Sequence, residues 1–450
     1  MVYRCYPGNM AFLTRWAGAP LFAIVLLIYL ISKPVLSYDS YWTVPTALNV
    51  LYHGSTAVDN LVPAAPAVAL YGLDCVPATG SARPYSPGRD CRDGHWYNIY
   101  PEGVPMLALP IVAAMVAATR VTAMLHLHSA RPLVDAFLAG DLAGGRAVTE
   151  MVCAAIICAI AAWIVYLTAA RFLNSSRAAI LALLFAFGTS QWSVSSRSLM
   201  QHGPSALFLA VAIHIAVLAR RNPERVAYLS LPLAAAFTVR PTNAIAVAVL
   251  SLYVALHYRE RFLNFLVWSL PVAIPFLTYN VAVRHGIFPT YYTYAWAARS
   301  TLFSGLAMNL TSPSRGLLIF TPIVLFAIAG MVLALRCRWC FPLTPYLVAI
   351  AIAHSVVIAL YWPGHGYGPR YYADLSPMFV FFLIPAALLW PRARIAAAYV
   401  FIVLAAWSVF VHARGATSNA ANLWSLTPVN VDDARWRVWD WSDPQFLRGL

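Results

Sequence analysis

A single aspartate stands where the first apolar stretch of the chain ends. Asp39 lies in the string SYDSYW, just after an apolar run that closes near Leu36. A carboxylate at the edge of an apolar segment is costly unless it is hydrated, paired or used in chemistry. Asp39 is therefore a candidate general base, a group that takes the proton of an attacking hydroxyl. The structural alternative is that Asp39 and Ser40 cap a helix from Tyr41 to about Tyr52.

Arginines stand at the ends of apolar stretches in four later turns, at Arg197, Arg240, Arg315 and Arg370. A guanidinium group is planar, binds oxyanions through paired hydrogen bonds and keeps its proton at neutral pH. Arg197, Arg240 and Arg370 are predicted to bind a phosphate, and Arg315 is a further candidate. The alternative is that each arginine only reaches the lipid headgroups.

One carboxylate with several arginines suits the transfer of a sugar from a lipid phosphate. The leaving phosphate is already a stable anion and mainly needs positive charge beside it. The remaining task is to deprotonate the acceptor hydroxyl, which one aspartate can do. Hydrolysis of a glycoside, by contrast, normally needs two carboxylates.

Other polar residues could line the same site. Each also has a simpler interpretation as a turn, cap or surface residue. These residues are Glu102 in YPEGVP, His202 in MQHGP, and His365, Tyr371 and Asp374 in GHGYGPRYYADLSP.

The composition excludes a soluble enzyme and a disordered chain. Of 450 residues, 61% are hydrophobic and only 10% are charged, whereas about a quarter of an ordinary soluble domain is charged. The apolar residues form long runs between short arginine-bearing breaks, which is typical of a polytopic helical membrane protein. The formal net charge of +14 therefore does not indicate nucleic-acid binding.

At roughly 20 apolar residues per crossing, the sequence predicts an all-α protein with about eleven transmembrane helices. They are expected near residues 17–36, 152–173, 178–194, 205–219, 227–239, 244–257, 262–281, 317–335, 341–360, 372–390 and 395–412. The stretch 104–125 either spans the membrane or lies on its outer surface. We favour the surface, because Pro105, Pro110 and Arg120 interrupt it. Residues 1–412, including an outer loop 37–150, form the predicted transmembrane domain, and 413–450 an outer tail.

Loop charges orient the chain. With 104–125 on the outer surface, the basic turns RRNPER, YRER, RCRW and PRAR all lie on the inner side, as the positive-inside rule expects. The predicted location is a bacterial inner membrane, with Asp39 facing the periplasm or exterior. Cys75 and Cys91 then lie in an oxidising compartment, where a disulfide between them and free thiols are both open.

The layout resembles the GT-C superfamily of glycosyltransferases that use polyprenyl-phosphate sugars, especially the branch of protein O-mannosyltransferases and lipid A aminoarabinose transferases. The resemblance rests on YDSYW around Asp39, on YPEGVPMLALP, on AAWIVYLTAARFL and on GPRYYADLSPMFVFFLIPAALL, in that order. It implies a catalytic role for Asp39, outer helices in the first loop, a polyprenyl-phosphate sugar donor and a glycan, lipid or protein acceptor of the cell envelope. Membrane lipids are further partners, and no nucleic acid is expected.

The chain also departs from that pattern. Ser40 follows Asp39 where the family often has a second acidic residue, and Gln201 and His202 stand where several members have one. No metal or other cofactor is therefore assigned.

Two rival functions remain. A flippase or transporter of lipid-linked sugars would carry ionisable groups near the bilayer midplane. A polymerase or ligase of envelope glycans would also use outer arginines, but on a diphosphate carrier.

Overall fold

The computed structural model describes residues 13–35, 37–88, 90–126, 129, 131–141, 144–288, 291, 300–389 and 395–450. Its first half contains helices α1 Leu13–Ile31, α2 Thr43–His53, α3 Gly103–Met124, α4 Pro132–Leu138, α5 Arg146–Ala169, α6 Ser175–Phe187, α7 His202–Ala219, α8 Ser230–Val239, α9 Ala244–His257 and α10 Phe262–Arg284. The second half contains α11 Leu302–Thr311, α12 Leu317–Phe320, α13 Val324–Arg336, α14 Leu343–Ala359, α15 Ser376–Leu389, α16 Ile395–Thr417 and α17 Asn419–Leu423. The strands are β1 Leu73–Pro77, β2 Arg83–Pro84 and β3 Gly94–Asn98.

The predicted fold class, a mainly helical polytopic membrane protein with extra helices in the first outer loop, is confirmed. Each predicted crossing coincides with a described helix. Six apolar segments of the described chain reach at least 18 residues, and six more are shorter apolar helices. The predicted crossing at 317–335 is broken into α12 and α13, with Pro322 between them. The basic turn PRAR falls in residues 390–394, outside the described residues.

Close helix packing forms the centre of the molecule. Helices α5, α7 and α15 are mostly buried, whereas α10 and α16 are mostly exposed on the model's surface. Small residues let neighbouring backbones approach: a Cβ atom on Gly330 of α13 would stand 1.8 Å from the carbonyl oxygen of Phe382 in α15. Small interfacial residues are the usual means by which membrane helices pack closely. The deeply buried helices are therefore the fixed frame on which the outer elements rest.

The first outer loop folds into its own small layer. The predicted helix after Asp39 is confirmed as α2, which ends at Gly54 in a left-handed conformation with φ of +67°. Strands β2, β1 and β3 form an antiparallel sheet in that order, which sequence reasoning did not predict. A disulfide joins Cys75 to Cys91 and closes the turn-rich insertion.

Residues near both ends of helix α3 contact other elements of the fold. Tyr100 and Glu102, just before its start, lie beside Asp39 and α10 respectively. Near its end, the Arg120 guanidinium lies 5.8 Å from the ring centroid of Tyr52, the penultimate residue of α2. Its length and composition would permit a crossing. That α3 lies along the outer surface therefore stays a prediction.

The C-terminal tail packs against the outer turns. Helix α16 continues to Thr417, past the predicted boundary at residue 412. Trp424 in the tail is fully buried, and its indole lies under the guanidinium of Arg437 at 4.3 Å. Gln445 of the tail accepts hydrogen bonds from Arg315 and from the backbone N–H of Gly368, so the folded tail covers these two turns.

Candidate active site

Asp39 lies between α1 and α2 and does not cap α2. The residue before α2, Trp42, makes no side-chain capping bond. The Asp39 carboxylate instead accepts a hydrogen bond from the Tyr100 hydroxyl at 3.0 Å and pairs with the Arg370 guanidinium at 3.0 Å. Its side chain is 38% exposed, so the carboxylate is open to a ligand. The helix-capping interpretation of Asp39 is therefore wrong.

The neighbours of Asp39 keep it ionised. Partial burial acts to raise the pKa of Asp39, but the positive charge of Arg370 and the hydrogen bond from Tyr100 outweigh it and lower the pKa below its usual value. Burial and the adjacent carboxylate raise the pKa of Tyr100 well above normal. Tyr100 therefore stays protonated and acts as the donor.

The segment just before α2 is held in place by buried contacts with α5. The Ser40 hydroxyl donates to Glu150 in the first turns of α5 at 2.7 Å. Arg146, one turn earlier, pairs with the same carboxylate and lies 4.1 Å from the ring centroid of Tyr41. These contacts hold the residues on the C-terminal side of Asp39 against the central helix α5.

Arg370 opens a 3-10 turn, Arg370–Leu375, that leads into α15. The side chain of Arg370 packs closely against the glycine-rich segment before this turn. A Cβ atom on Gly366, where φ is +132°, would stand 2.8 Å from the Arg370 side chain. Glycine is needed here both for the backbone conformation and for the close approach.

Arg240 ends α8 and meets a buried polar cluster. Its Nε lies 2.5 Å from the Asp374 carboxylate, which His202 also approaches at 3.1 Å. His354 of α14 lies 3.9 Å from the same carboxylate. Asp374 has no exposed side-chain area, so Arg240 supplies the charge that a buried carboxylate requires.

The Tyr371 ring lies near the guanidinium groups of both arginines and lines a cavity. Its ring centroid lies 5.1 Å from the guanidinium of Arg370 and 5.9 Å from that of Arg240. The adjoining cavity has a volume of about 260 Å³. Its polar lining is Gln201, Arg240, Thr242, Tyr291, Tyr361 and Tyr371, and its apolar lining is Pro241, Ala244, Ile245, Val357 and Ile358. A cavity with one polar and one apolar side suits an amphiphilic ligand.

Two of the predicted arginines bond to uncharged oxygen atoms of the protein. Arg197 donates to the carbonyl oxygens of Lys33 at 2.7 Å and of Gly415, and so ties the end of α1 to α16. Arg315 donates to Gln445 at 2.8 Å and to the carbonyl oxygen of Gly364 at 2.9 Å. Both side chains are almost fully buried. The structure therefore gives Arg197 and Arg315 partners that hold segments of the fold together.

Two further candidates lie in other clusters. Glu102 accepts hydrogen bonds from Arg284 at 2.7 Å and from Tyr279 at 3.3 Å, which links α3 to α10. His365 bonds Asn430 of the tail at 2.7 Å. Asp39, Arg240, Arg370, Tyr371, His202 and Asp374 are the predicted residues that the fold brings together.

Four residues of the site were not among the predicted site residues, namely Tyr100, Gln201, Tyr291 and His354. Tyr100 and Gln201 lie beside candidates that were named, but nothing local marked them. The Tyr291 ring lies 5.2 Å from that of Tyr100, and its hydroxyl bonds Gln201. His354 had a usable signal, because a histidine within the apolar run IAIAHSVV is unusual in a membrane helix.

In the part of the chain that the structure describes, one group of His, Cys, Asp and Glu side chains is close enough to share a metal. It consists of Cys75, Cys91 and Asp93. The two cysteines are joined by the disulfide, so their thiolates cannot act as ligands. This group therefore does not fit a metal.

Comparison with known proteins gives little further guidance. No protein-family profile and no curated protein matches the chain. Among solved structures, it resembles the crystal structure of the Archaeoglobus fulgidus oligosaccharyltransferase in complex with zinc and sulfate, with 16% sequence identity and a TM-score of 0.39. The alignment covers 94% of this chain but only 57% of that one. A likeness at this score supports neither a family nor an activity.

Proposed function

We propose that this protein is a membrane glycosyltransferase of the GT-C type. It moves one sugar from a polyprenyl-phosphate carrier to a glycan, lipid or protein acceptor of the bacterial cell envelope. Asp39 is the general base, and Arg370 and Arg240 bind the carrier phosphate. The transfer takes place at the outer face of the inner membrane.

The observation that carries this proposal is the pairing of Asp39 with Arg370 at 3.0 Å. Tyr371, the next residue after Arg370, lines an amphiphilic cavity together with Arg240. A base and a phosphate-binding cation must flank the same anomeric carbon for a single displacement. The Arg370 and Arg240 guanidinium groups lie 5.1 Å and 5.9 Å from the centroid of the same Tyr371 ring, which supports assigning both arginines to one phosphate site.

The apolar side of the cavity suits the lipid part of the donor. Ala244 and Ile245 belong to α9, and Val357 and Ile358 belong to α14. A chain that enters between these helices would place its phosphate beside Arg240. Hydrocarbon burial binds the tail, and the charged pair selects the anionic head.

The reaction is written as a single displacement. The acceptor oxygen attacks the anomeric carbon while the bond from that carbon to the phosphate oxygen breaks. The acceptor proton passes to Asp39, and the electron pair leaves with the polyprenyl phosphate, whose added charge Arg370 and Arg240 stabilise. The configuration at the anomeric carbon is therefore inverted.

Binding of the donor phosphate is also expected to raise the pKa of Asp39. In the structure Arg370 is paired with Asp39, which makes the carboxylate a weak base. A phosphate that takes hydrogen bonds from Arg370 shares its positive charge. The pKa of Asp39 then rises toward the value that general base catalysis requires.

The direct test replaces Asp39 with asparagine. A general base contributes about 10²- to 10⁴-fold in rate, so Asp39→Asn should lower transfer by at least about 10²-fold. Transfer is measured with a synthetic polyprenyl-phosphate sugar and envelope extract from a deletion strain. Asp90→Asn is the matched control, because Asp90 is an exposed carboxylate of the same outer loop, paired with Arg92.

Two results would contradict the proposal. Full transfer by a folded Asp39→Asn protein would show that Asp39 is not the general base. Activity only with a diphosphate-linked oligosaccharide would instead identify a glycan polymerase or ligase.

A further inference from the structure

The glycine-rich segment before Arg370, residues 364–368, has a backbone conformation that depends on contacts with other parts of the chain. Gly364, Gly366 and Gly368 have φ angles of +53°, +132° and +54°. Glycine reaches such angles freely, but it also loses the most conformational freedom on folding. The segment therefore needs bonds from outside itself to keep one arrangement.

Side chains from two distant parts of the chain supply these bonds. The Arg315 guanidinium donates to the carbonyl oxygen of Gly364 at 2.9 Å. Two tail residues donate to the carbonyl oxygen of Gly366: the Gln445 amide at 2.9 Å and the Ser425 hydroxyl at 3.2 Å. The tail and the turn at Arg315 therefore hold the glycine-rich segment together.

Gln445 uses the full bonding capacity of its amide. Its oxygen accepts from the Arg315 guanidinium at 2.8 Å and from the backbone N–H of Gly368 at 3.0 Å. Its nitrogen donates to the carbonyl oxygen of Gly366 and, at 3.2 Å, to that of Ala421 in α17. The side chain is fully buried. A side chain without an amide would therefore leave buried groups of the segment unpaired.

The glycine-rich segment in turn determines the position of Arg370. The backbone N–H of Arg370 donates to the carbonyl oxygen of Gly368 at 2.9 Å. A Cβ atom on Gly366 would stand 2.8 Å from the Arg370 side chain, so the stem of the arginine packs directly on the segment. The guanidinium at the end of that side chain pairs with Asp39 at 3.0 Å. A shift of the segment would therefore move the guanidinium relative to the carboxylate.

We propose that Gln445, together with Ser425 and Arg315, positions Arg370 for catalysis, so that the C-terminal tail completes the active site. Gln445 acts through the backbone of residues 364–368 and not on the substrate, so it is a positioning residue. The inference rests on the proposed function, in which Arg370 binds the carrier phosphate. It adds that the transferase activity depends on the folded tail.

The test replaces Gln445 with methionine, which has a similar length and volume but no amide. In Gln445→Met, Arg370 should move away from Asp39, so the pKa of Asp39 should rise. Tyr100 and His202, the other groups that lower this pKa, are unchanged. Infrared titration of the purified protein follows the carbonyl band of protonated Asp39, identified by its absence in Asp39→Asn. With a synthetic polyprenyl-phosphate sugar, kcat/KM should fall by about 10²-fold, as expected for a displacement of about 1 Å.

Asn422→Leu is the matched control. Asn422 is another amide of the tail, but it bonds Arg197 and the carbonyl oxygen of Gly415 in α16, neither of which belongs to the glycine-rich segment. Its replacement should lower the temperature of thermal unfolding, as Gln445→Met does. It should leave the pKa of Asp39 at the wild-type value.

Two results would overturn the proposal. One is a wild-type pKa of Asp39 in folded Gln445→Met protein. The other is an equal rise in Asn422→Leu, which would mean that any loss of tail packing raises this pKa. If Gln445→Met does not fold, Ser425→Ala, which removes one hydroxyl, is titrated in its place.

The infrared titration needs no substrate, so it tests the position of Arg370 independently of transfer. Failure of the wild-type protein to transfer a polyprenyl-phosphate sugar would contradict the proposed function. An unchanged pKa of Asp39 in Gln445→Met would contradict the role of Gln445.

Discussion

Two partners of the Asp39 carboxylate both lower its pKa. Arg370 contributes a positive charge and Tyr100 a hydrogen bond, and both favour the ionised form. Because the folded-state pKa of Asp39 is below its unfolded value, its ionisation stabilises the fold above the unfolded pKa of about 3.9. That contribution is lost as the pH falls through the folded pKa.

Replacing Tyr100 tests this electrostatic arrangement without removing a phosphate ligand. Tyr100→Phe deletes one bond to the ionised form, so the pKa of Asp39 should rise and the acidic limb of the pH–rate profile should move to higher pH. The measurement is kcat/KM for transfer between pH 4 and 8. Tyr71→Phe, an exposed tyrosine of the same loop, should leave the profile unchanged. An identical acidic limb in Tyr100→Phe would mean that the hydroxyl does not act on Asp39.

At the scale of elements, the site is assembled where several helix ends meet. Arg240 comes from the turn between α8 and α9, and Asp374 from the turn before α15. Their contact at 2.5 Å joins segments far apart in the chain, and His202 adds the start of α7. Asp374 therefore positions Arg240, while Arg240 neutralises Asp374.

Separate and combined substitutions should distinguish these two roles. Arg240→Gln leaves a buried carboxylate uncompensated and should destabilise the protein by about 3–5 kcal/mol. Adding Asp374→Asn removes that charge and should recover most of the loss in thermal unfolding. The double variant should still show a raised KM for the polyprenyl-phosphate donor, because the phosphate ligand is missing. Recovery of both stability and KM would show that Arg240 has only a structural role.

At the scale of the whole molecule, the two faces differ in construction. The face predicted to be outer carries the small β-sheet, the disulfide and a folded tail, whose Gln445 binds both Arg315 and the backbone of Gly368. That contact braces the glycine-rich segment that leads to Arg370. The opposite face has short basic turns. Elaboration of one face fits a protein that acts on that side of the membrane.

Chemical labelling should establish the orientation. Cys337 is an exposed free cysteine in a turn predicted to be cytoplasmic, whereas Cys153, Cys158 and Cys340 are buried. In a Cys5→Ser background, a membrane-impermeant maleimide should label Cys337 only after the cells are permeabilised. Trp436→Cys, at an exposed position of the tail, should be labelled in intact spheroplasts. The reverse pattern would invert the proposed topology.

The class of protein and the main helices could be predicted from the order of the amino acids. Helix formation in a membrane depends on local apolar runs, so the crossings and α2 could be found without knowledge of their neighbours. The position of Asp39 at the end of the first crossing was equally local. The small sheet was missed because its pairing joins Leu73–Pro77 to Gly94–Asn98 across an irregular insertion.

The grouping of the arginines depends on long-range packing, which the sequence pattern does not contain. Arg197, Arg240, Arg315 and Arg370 carry the same local signature, a guanidinium at the end of an apolar stretch. Their partners come from distant segments: Arg197 binds carbonyl groups, whereas Arg370 meets Asp39 across 331 positions of the chain. A sequence pattern records where a residue stands along its helix. It does not record which other helix its side chain faces, because packing of the whole bundle sets that choice.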